Sequence, residues 1–197
     1  MSGERNIYLI GARASGKTTL GKKLAARLAR PFVDTDRRVR LNTGKTVAEL
    51  VEEGGWPAFR EAEGVALAEV AVFSGQVVSC GGGIVLAKDN CELLQRGIVL
   101  YLKAPAEVLA ERLMRNPVQA QRPSLTGGGV VDEITRVLDE REALYLACAH
   151  AVLPAHTPLP ELLELALAEI ARRGGGGPAP AKNAGTGRAV AGRGRIS

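Results

Sequence analysis

The sequence is poor in the residues that build disulfide frameworks and metal clusters. It has three cysteines and two histidines in 197 residues. Cys80, Cys91 and Cys148 are odd in number and widely spaced, which fits free thiols in a reducing compartment better than a disulfide or zinc framework. Neither His150 nor His156 has partners at the spacing of metal ligands. No histidine is near Cys80 in the sequence, so we expect this residue to be a small buried apolar side chain rather than a nucleophile.

Long apolar runs are also missing. No apolar stretch approaches the length needed to span a bilayer, and the first six residues do not have the pattern of a secretory signal. The composition, 46% hydrophobic and 24% charged, is typical of a globular protein. We therefore expect a cytoplasmic protein with one compact domain and no membrane partner.

The net charge of +5 is distributed unevenly. Residues 174–197 contain Lys182, Arg188, Arg193 and Arg195 and no acidic residue, so they carry +4 and leave +1 for the rest of the chain. This glycine- and proline-rich segment cannot bury enough apolar surface to fold, which predicts a disordered basic tail. A weak contact of the tail with nucleic acid is the alternative, and no specific nucleic-acid partner is expected.

The most informative stretch follows the apolar run 7–10. It fits G-x-x-x-x-G-K-[ST], the pattern of a phosphate-binding loop. Glycines let the backbone wrap around a phosphate chain with its N–H groups pointing inward, and a helix N-terminus follows. In such a loop Lys17 reaches the outer phosphates and Thr18 offers its hydroxyl to Mg²⁺. The residues predicted to bind ATP here are Gly11, Ala12, Arg13, Ala14, Ser15, Gly16, Lys17, Thr18 and Thr19.

The surroundings of this loop agree with that interpretation. Residues 7–10 indicate a buried strand, and Leu20, Leu24 and Leu28 repeat at helical spacing after the loop. A strand, a glycine loop and an amphipathic helix in this order are the context that the motif requires. An ordinary glycine-rich turn is the alternative, but it leaves Gly-Lys-Thr at the helix start unexplained.

Polar and glycine residues follow two further predicted strands. Asp34 and Asp36 come after a minimal strand at 31–33, and three glycines at 81–83 come after a strand at 76–80. Ligands bind at the carboxyl ends of strands in open α/β sheets. One carboxylate can help to hold hydrated Mg²⁺ while the other orients a hydroxyl or accepts its proton. The alternatives are a helix N-cap for the aspartates and a plain turn for the glycines.

A small helical insertion lies between these strands. Thr46 and Glu49 form a capping-box pattern, and the glycines at 54–55 can close the helix that it opens. Trp56 and Arg60 are four residues apart on one helical face. They could form a wall and a clamp for a small acid, or be a core tryptophan and a solvated arginine.

Residues 115–129 differ in character from the helices beside them. They are rich in Asn, Pro, Gln and Gly and contain Arg115 and Arg122. This composition indicates a mobile lid whose arginines neutralise phosphate charge on closure. A surface loop with two solvated arginines is the alternative.

The remaining chain alternates strand and helix patterns. Residues 98–102 are a continuous apolar run typical of the middle of a parallel sheet. A helix is predicted from Pro105, a long helix to about Ala149, a short strand at 151–153 and a last helix from about residue 157. This alternation without an internal repeat predicts an α/β fold with helices on both faces of a parallel sheet.

In this order, the motifs resemble those of the shikimate kinase family over about residues 6–173. The resemblance implies a three-layer P-loop kinase fold of the nucleoside-monophosphate-kinase-like group, with a five-stranded parallel sheet. It also implies a domain at 1–173 with a helical substrate-binding insertion at about 34–63 and a lid at about 115–129. The motifs that carry it are the phosphate loop, Asp34-Thr35-Asp36, Phe59-Arg60 with Glu63, Gly81-Gly82-Gly83, Arg122-Pro123, and Arg141 followed by Leu144-Tyr145.

The resemblance implies ATP-dependent phosphorylation of the 3-hydroxyl of shikimate, a step in aromatic amino acid biosynthesis, by a monomer with Mg²⁺ as cofactor. By resemblance, Asp36 holds the shikimate hydroxyls and takes the proton, and Asp34 lies near Mg²⁺ through water. Arg60 and Arg141 match the pair that clamps the carboxylate, for which bidentate guanidinium groups are suited. The protein would mainly position two anions and neutralise charge in the transition state.

Further site residues follow from the same resemblance. Arg122 matches the lid arginine that reaches over the phosphates, and Arg115 falls where the family places an arginine against adenine. The chain departs from the family pattern at Ala14, where glycine is usual, and at 154–157, where the adenine-contacting turn fits loosely. The catalytic set is therefore Lys17, Asp36 and Arg122, and the wall of the shikimate pocket is Gly81, Gly82 and Gly83.

Two other functions compete with this one. Another small-molecule kinase of the same fold could act on gluconate or a nucleoside monophosphate. A regulatory module could bind nucleotide without turnover, although Lys17, Thr18, Asp34, Asp36 and Arg122 are all present.

Overall fold

The structure is a computed structural model and describes residues 4–115 and 129–174. Its centre is a five-stranded parallel sheet, as the sequence predicts. The strands are β1 (Ile7–Ile10), β2 (Phe32–Asp34), β3 (Val77–Ser79), β4 (Ile98–Lys103) and β5 (Ala151–Pro154), in the spatial order β2-β3-β1-β4-β5.

Helices cover both faces of this sheet, which confirms the three-layer prediction. Alternate residues of β1 point to opposite faces: Ile7 and Leu9 pack in one buried cluster, Tyr8 and Ile10 in a second. The described helices are α1 (Lys17–Leu28), α2 (Thr35–Thr43), α3 (Val47–Ala71), α4 (Lys88–Leu94), α5 (Ala106–Met114), α6 (Val130–Cys148) and α7 (Leu159–Arg172), with a 3₁₀ turn at Ile84–Leu86.

The strand order places β1 at the point where the chain changes direction across the sheet. From β1 the chain crosses to β2 on one side, returns to the neighbouring β3, and then continues to β4 on the other side of β1. Ligands bind at such switch points, beyond the carboxyl ends of the strands. The phosphate loop follows β1 at this point, so the fold puts it at the centre of the carboxyl edge.

The insertion between β2 and β3 contains the predicted helix and, directly after it, a second one. The capping box of Thr46 and Glu49 is present, but α3 continues to Ala71 through a kink at Gly55, where φ is 69° and ψ −177°. Glycine tolerates this positive φ, and the helix resumes around Pro57 at the start of a new turn. The glycines therefore end the helix that the capping box opens, as predicted, and a second helix follows it directly within α3.

Other expectations can be compared element by element. The 3₁₀ turn and α4 were not predicted, because this short helix has only two buried residues, Asn90 and Leu94, and so no clear apolar period.

The cysteines are as expected: Cys80 is buried, and all three are free thiols. Burial raises the pKa of the Cys80 thiol well above its ordinary value. Most of the predicted lid and the predicted tail beyond Gly174 lie outside the described residues. None of the helices in the described ranges is both long enough and apolar enough to cross a membrane.

Candidate active site

The phosphate loop joins β1 to α1 through backbone conformations that need glycine. Gly11 has φ 138° and Gly16, the N-cap of α1, has φ 93°. Residues with a Cβ atom rarely adopt these values. A Cβ on Gly11 would also lie 2.7 Å from the Leu102 carbonyl oxygen. Lys17 lies across the loop and donates from Nζ to the carbonyl oxygens of Gly11 and Ala12, at 2.8 and 2.7 Å. The ammonium group is thus held inside the loop, where a phosphate would bind.

Ala14 is the residue at which this loop departs from the family pattern, and the structure gives the departure a physical meaning. Its φ of 59° is in the left-handed region, which costs an L-residue with a Cβ about 1–2 kcal/mol. The loop therefore keeps the conformation that glycine would adopt and stores strain at this position. Only Ala14 and Ala29 among the described non-glycine residues have positive φ.

Three oxygen-bearing side chains meet beside the loop. Thr18 donates from Oγ1 to Asp34 Oδ2 at 3.1 Å and lies 3.3 Å from Ser79 Oγ. The other Asp34 oxygen accepts from the Arg37 backbone N–H at 3.2 Å and caps α2. Asp34 therefore serves as a helix cap, the alternative considered for it, while it also contacts the threonine of the loop.

These oxygens suit Mg²⁺, a hard cation that keeps several waters and binds a few protein oxygens together with phosphate. No group of three or more His, Cys, Asp or Glu able to hold a metal occurs in residues 4–115 and 129–174. Ser79 was missed in the sequence. The sequence could have indicated it, because Ser79 is a polar residue near the carboxyl end of the predicted strand 76–80. In the structure it pairs in register with Asp34.

A cleft of about 280 Å³ opens over the phosphate loop, and we call it the phosphate cleft. Arg112, on α5, lines this cleft and donates to the Ala155 carbonyl oxygen at 2.8 Å. Arg115 instead pairs with Glu111 and is 76% exposed, so the adenine role of Arg115 stays a prediction. The cleft is lined by Arg13, Ala14, Gly16, Lys17, Thr18, Thr19, Asp34, Asp36, Ser79, Cys80, Gly82 and Arg112.

A second, smaller cavity of about 40 Å³ adjoins the phosphate cleft, and we call it the acid pocket. It brings together Asp36 from α2, Arg60 from α3 and Arg141 from α6. Arg122 lies outside the described residues. The pocket is lined by Arg13, Asp36, Val47, Trp56, Phe59, Arg60, Glu63, Gly82, Gly83 and Arg141.

Arg60 is fixed by aromatic rings and by a buried carboxylate. Its guanidinium carbon lies 5.4 Å from the Trp56 ring centroid and 5.1 Å from that of Phe59, within the range of cation–π attraction. Nη1 lies 2.5 Å from Glu63 Oε2. The tryptophan and arginine four residues apart therefore form one packed unit on the pocket wall.

Glu63 is almost fully enclosed, with 1% of its side chain exposed. Burial raises the pKa of this carboxyl, the Arg60 guanidinium opposes the rise, and the Asp36 charge adds to it. The geometry makes Glu63 a support for Arg60, which keeps the guanidinium facing the pocket.

The glycine triplet allows this pair to approach the backbone. A Cβ on Gly81 would lie 2.1 Å from Glu63 Oε1, and one on Gly83 would lie 2.0 Å from Arg60 Nη1. Either methyl group would displace the ion pair. The space left at Gly81 and Gly83 is therefore filled by the protein's own side chains, and a ligand contact with the triplet stays a prediction.

Gly82 links the triplet to α6. Its carbonyl oxygen accepts from the Tyr145 hydroxyl at 2.5 Å and from Arg141 Nη1 at 3.3 Å. Tyr145 is fully buried and stacks on Tyr101, with 4.9 Å between ring centroids. Burial raises the pKa of Tyr145 to about 12, so the hydroxyl stays protonated and donates.

Comparisons with known proteins agree with this geometry. The shikimate kinase family model matches residues 13–171. A shikimate kinase of Oleidesulfovibrio alaskensis is 52% identical over 153 residues, which cover 77% of this chain and 89% of the relative. Shikimate kinase 2 of Photorhabdus laumondii is 44% identical over 165 residues, covering 83% of this chain and 94% of that protein.

Solved structures give the same result. The shikimate kinase from Acinetobacter baumannii in complex with shikimate superposes with a TM-score of 0.80 at 34% identity, over 86% of this chain and 94% of that one. A gluconokinase from Sinorhizobium meliloti, at 20% identity and a TM-score of 0.54 over 88% of this chain and 95% of that one, shares the fold alone. With a family model over most of its length and relatives near half identity, this chain belongs to the shikimate kinase family.

Proposed function

We propose that the protein catalyses ATP-dependent phosphorylation of the 3-hydroxyl of shikimate, producing shikimate 3-phosphate and ADP. The observation that carries this proposal is the direct contact between the phosphate cleft and a pocket with two arginines. Asp36 lines both cavities. An alcohol bound in the acid pocket would therefore meet the terminal phosphate of a nucleotide bound in the cleft.

The acid pocket suits a hydroxylated carboxylic acid. Arg60 and Arg141 offer guanidinium groups to a carboxylate, for which the planar fork gives two parallel hydrogen bonds. Asp36 offers a carboxylate to the hydroxyl and can orient it or accept its proton. The backbone of Gly82 and Gly83 and the ring of Trp56 form the wall between them.

The phosphate cleft suits a nucleoside triphosphate with Mg²⁺. Backbone N–H groups of the loop and the start of α1 stabilise phosphate charge, and Lys17 would move from the loop carbonyls to the outer phosphates. Thr18, with Asp34 and Ser79 beside it, would hold Mg²⁺ directly or through water. When bound, the ion neutralises charge on the phosphates and fixes their geometry.

Other parts of the proposal rest on the family pattern. These are the lid at about 115–129 with Arg115 against adenine and Arg122 over the phosphates, the tail from residue 174, the monomeric state and the cytoplasmic location. They remain predictions, as does the insertion boundary at about 34–63.

The strongest competitor is a kinase of the same fold with another acceptor. Gluconate and nucleotides are also anions, which arginines suit. The family match and the identity to shikimate kinases favour shikimate over them. A regulatory module that only binds nucleotide would need the phosphate cleft but not the acid pocket that adjoins it.

The test is ADP release from MgATP with shikimate, gluconate, AMP or no acceptor. We expect strong stimulation by shikimate alone, and loss of that stimulation in Lys17→Ala, which controls for contaminating kinases. Stimulation by another acceptor would overturn the assignment of Arg60 and Arg141 but keep the fold. No stimulation by any of them would favour the regulatory module.

A further inference from the structure

Three residues line both the phosphate cleft and the acid pocket: Arg13, Asp36 and Gly82. A phosphoryl group that moves from a nucleotide in the cleft to an alcohol in the pocket must pass between them. Side chains at this boundary therefore face the reacting atoms more directly than those that line one cavity alone. Asp36 is the anion of the three, and Arg13 is the cation.

The phosphate loop and the glycine triplet lie side by side at this boundary. A Cβ built on Gly82 would lie 3.6 Å from the Gly11 carbonyl oxygen and 3.7 Å from the Arg13 backbone nitrogen. The Arg13 backbone therefore lies beside the triplet that follows β3, with room for about a methyl group between it and Gly82. Arg13 is half-buried and lines both cavities.

Each of the other four cations near the boundary lines only one of these two cavities. Lys17 and Arg112 line the phosphate cleft, while Arg60 and Arg141 line the acid pocket. Arg60 is held by Glu63, and Arg141 by the Gly82 carbonyl. Among the described residues, Arg13 thus supplies the positive charge that both compartments share.

We propose that Arg13 is a further catalytic residue, whose guanidinium group binds the phosphoryl group while it is transferred. This inference rests on the proposed function. In the transfer, a bond forms between the acceptor oxygen and the γ-phosphorus, and the bond from that phosphorus to the β–γ bridging oxygen breaks. The bonding electrons leave with ADP, and the hydroxyl proton passes to Asp36 and then to solvent.

A boundary arginine suits this step because charge is spread over the three peripheral oxygens of the transferred group. Two N–H groups of one guanidinium can follow those oxygens from one compartment to the other. The contact is strongest in the transition state, when the phosphoryl group lies between the two cavities. The expected effect is therefore on turnover rather than on the binding of either substrate.

The first test is steady-state kinetics of Arg13→Gln and Arg13→Lys with MgATP and shikimate. For Arg13→Gln we expect kcat to fall about 100-fold, the size seen when one charge-stabilising donor is removed. Arg13→Lys keeps the charge without the fork and should fall between that variant and wild type. KM for both substrates should stay within about threefold, the pattern of an interaction made in the transition state.

Arg27→Gln is the matched control, because it removes the same charge from an exposed position on α1. Its kcat should equal that of wild type. Thermal melting of each variant checks folding. A second readout is binding of ADP with aluminium fluoride and shikimate, a mimic of the transferred phosphoryl group. Arg13→Gln should weaken binding of this mixture far more than binding of ADP or shikimate alone.

An unchanged kcat in Arg13→Gln would overturn the inference. If the KM for shikimate rose while kcat stayed unchanged, Arg13 would be a carboxylate ligand instead. A parallel loss of melting temperature and of all binding would also overturn it, in favour of a structural role. An inactive wild type would refute the proposed function itself, which is a different result from an active wild type that does not need Arg13.

Discussion

Arg60 and Glu63 form an ion pair across one turn of α3, with 2.5 Å between Nη1 and Oε2, and the carboxylate is 1% exposed. The pair lies against Gly81 and Gly83, whose missing side chains leave the room for it. The guanidinium that faces the acid pocket is therefore held by a buried anion on one side and by aromatic rings on the other.

Arg60→Ala should raise KM for shikimate about 100-fold, the scale of a lost charged hydrogen-bonding pair, with a smaller change in kcat. Arg60→Lys should recover only part of the affinity, because an ammonium group lacks the planar fork. Initial rates at varied shikimate concentration measure both. Arg38 on α2 pairs with Glu69 and does not line the acid pocket, so the control Arg38→Ala should leave KM unchanged. A normal KM in Arg60→Ala would refute the carboxylate role.

Glu63→Gln should change how stability depends on pH. The pKa of Glu63 is raised in the folded protein from its ordinary 4.5, so the folded state binds this proton more tightly than the unfolded state does. The resulting stabilisation is present below pH 4.5 and is lost as pH rises through the folded pKa. Glutamine cannot ionise, so the free energy of unfolding of wild type should fall relative to the variant over that range.

The measurement is denaturant unfolding of wild type and Glu63→Gln from pH 4 to pH 8. Glu61→Gln, an exposed change on the same helix, is the control and should track wild type. A constant difference between wild type and Glu63→Gln would show that burial does not raise this pKa.

Asp36→Asn should lower kcat at least about 100-fold, the scale of general acid–base assistance, while ATP binding is retained. Asparagine has the same shape but cannot take the proton from a hydroxyl. Rapid-quench measurement of the chemical step, beside ATP binding by calorimetry, separates the two effects. Full turnover in this variant would exclude Asp36 as base and as hydroxyl anchor.

Ser79→Ala should raise the Mg²⁺ concentration needed for half-maximal activity. Ser79 lies 3.3 Å from Thr18 Oγ1 and is 3% exposed, so its hydroxyl can orient the threonine or a water near the ion. A change of about tenfold is expected for the loss of such a partner. Titration of MgCl₂ at fixed ATP measures it, and Ser74→Ala, at an exposed site, is the control.

Ala14→Gly should relieve strain in the phosphate loop. Removing the Cβ at φ 59° recovers about 1–2 kcal/mol, while the greater freedom of glycine in the unfolded chain offsets about 0.4–1 kcal/mol. We expect a small net increase in stability, measured by denaturant unfolding. Ala26→Gly, an exposed helical position in α1, should instead be destabilising. A destabilised Ala14→Gly variant would mean that the loop is not strained there.

The amino-acid sequence by itself determined the local features of this protein. The phosphate loop, the capping box at Thr46 and the alternation of strands and helices depend on residues within a few positions of each other. Backbone freedom of glycine, helix capping and hydrophobic period act over that range. The sheet prediction succeeded for the same reason, since continuous apolar strands between helices allow few other arrangements.

Tertiary structure decided which side chains meet. Thr18 lies 16 residues from Asp34 and 61 from Ser79, and only the strand order brings the three together. The rotation of α5 points Arg112 rather than Arg115 into the phosphate cleft. The burial that raises the pKa of Glu63 likewise arises from packing against the glycine triplet. Such placements and electrostatic effects depend on distance in space, which local sequence patterns do not encode.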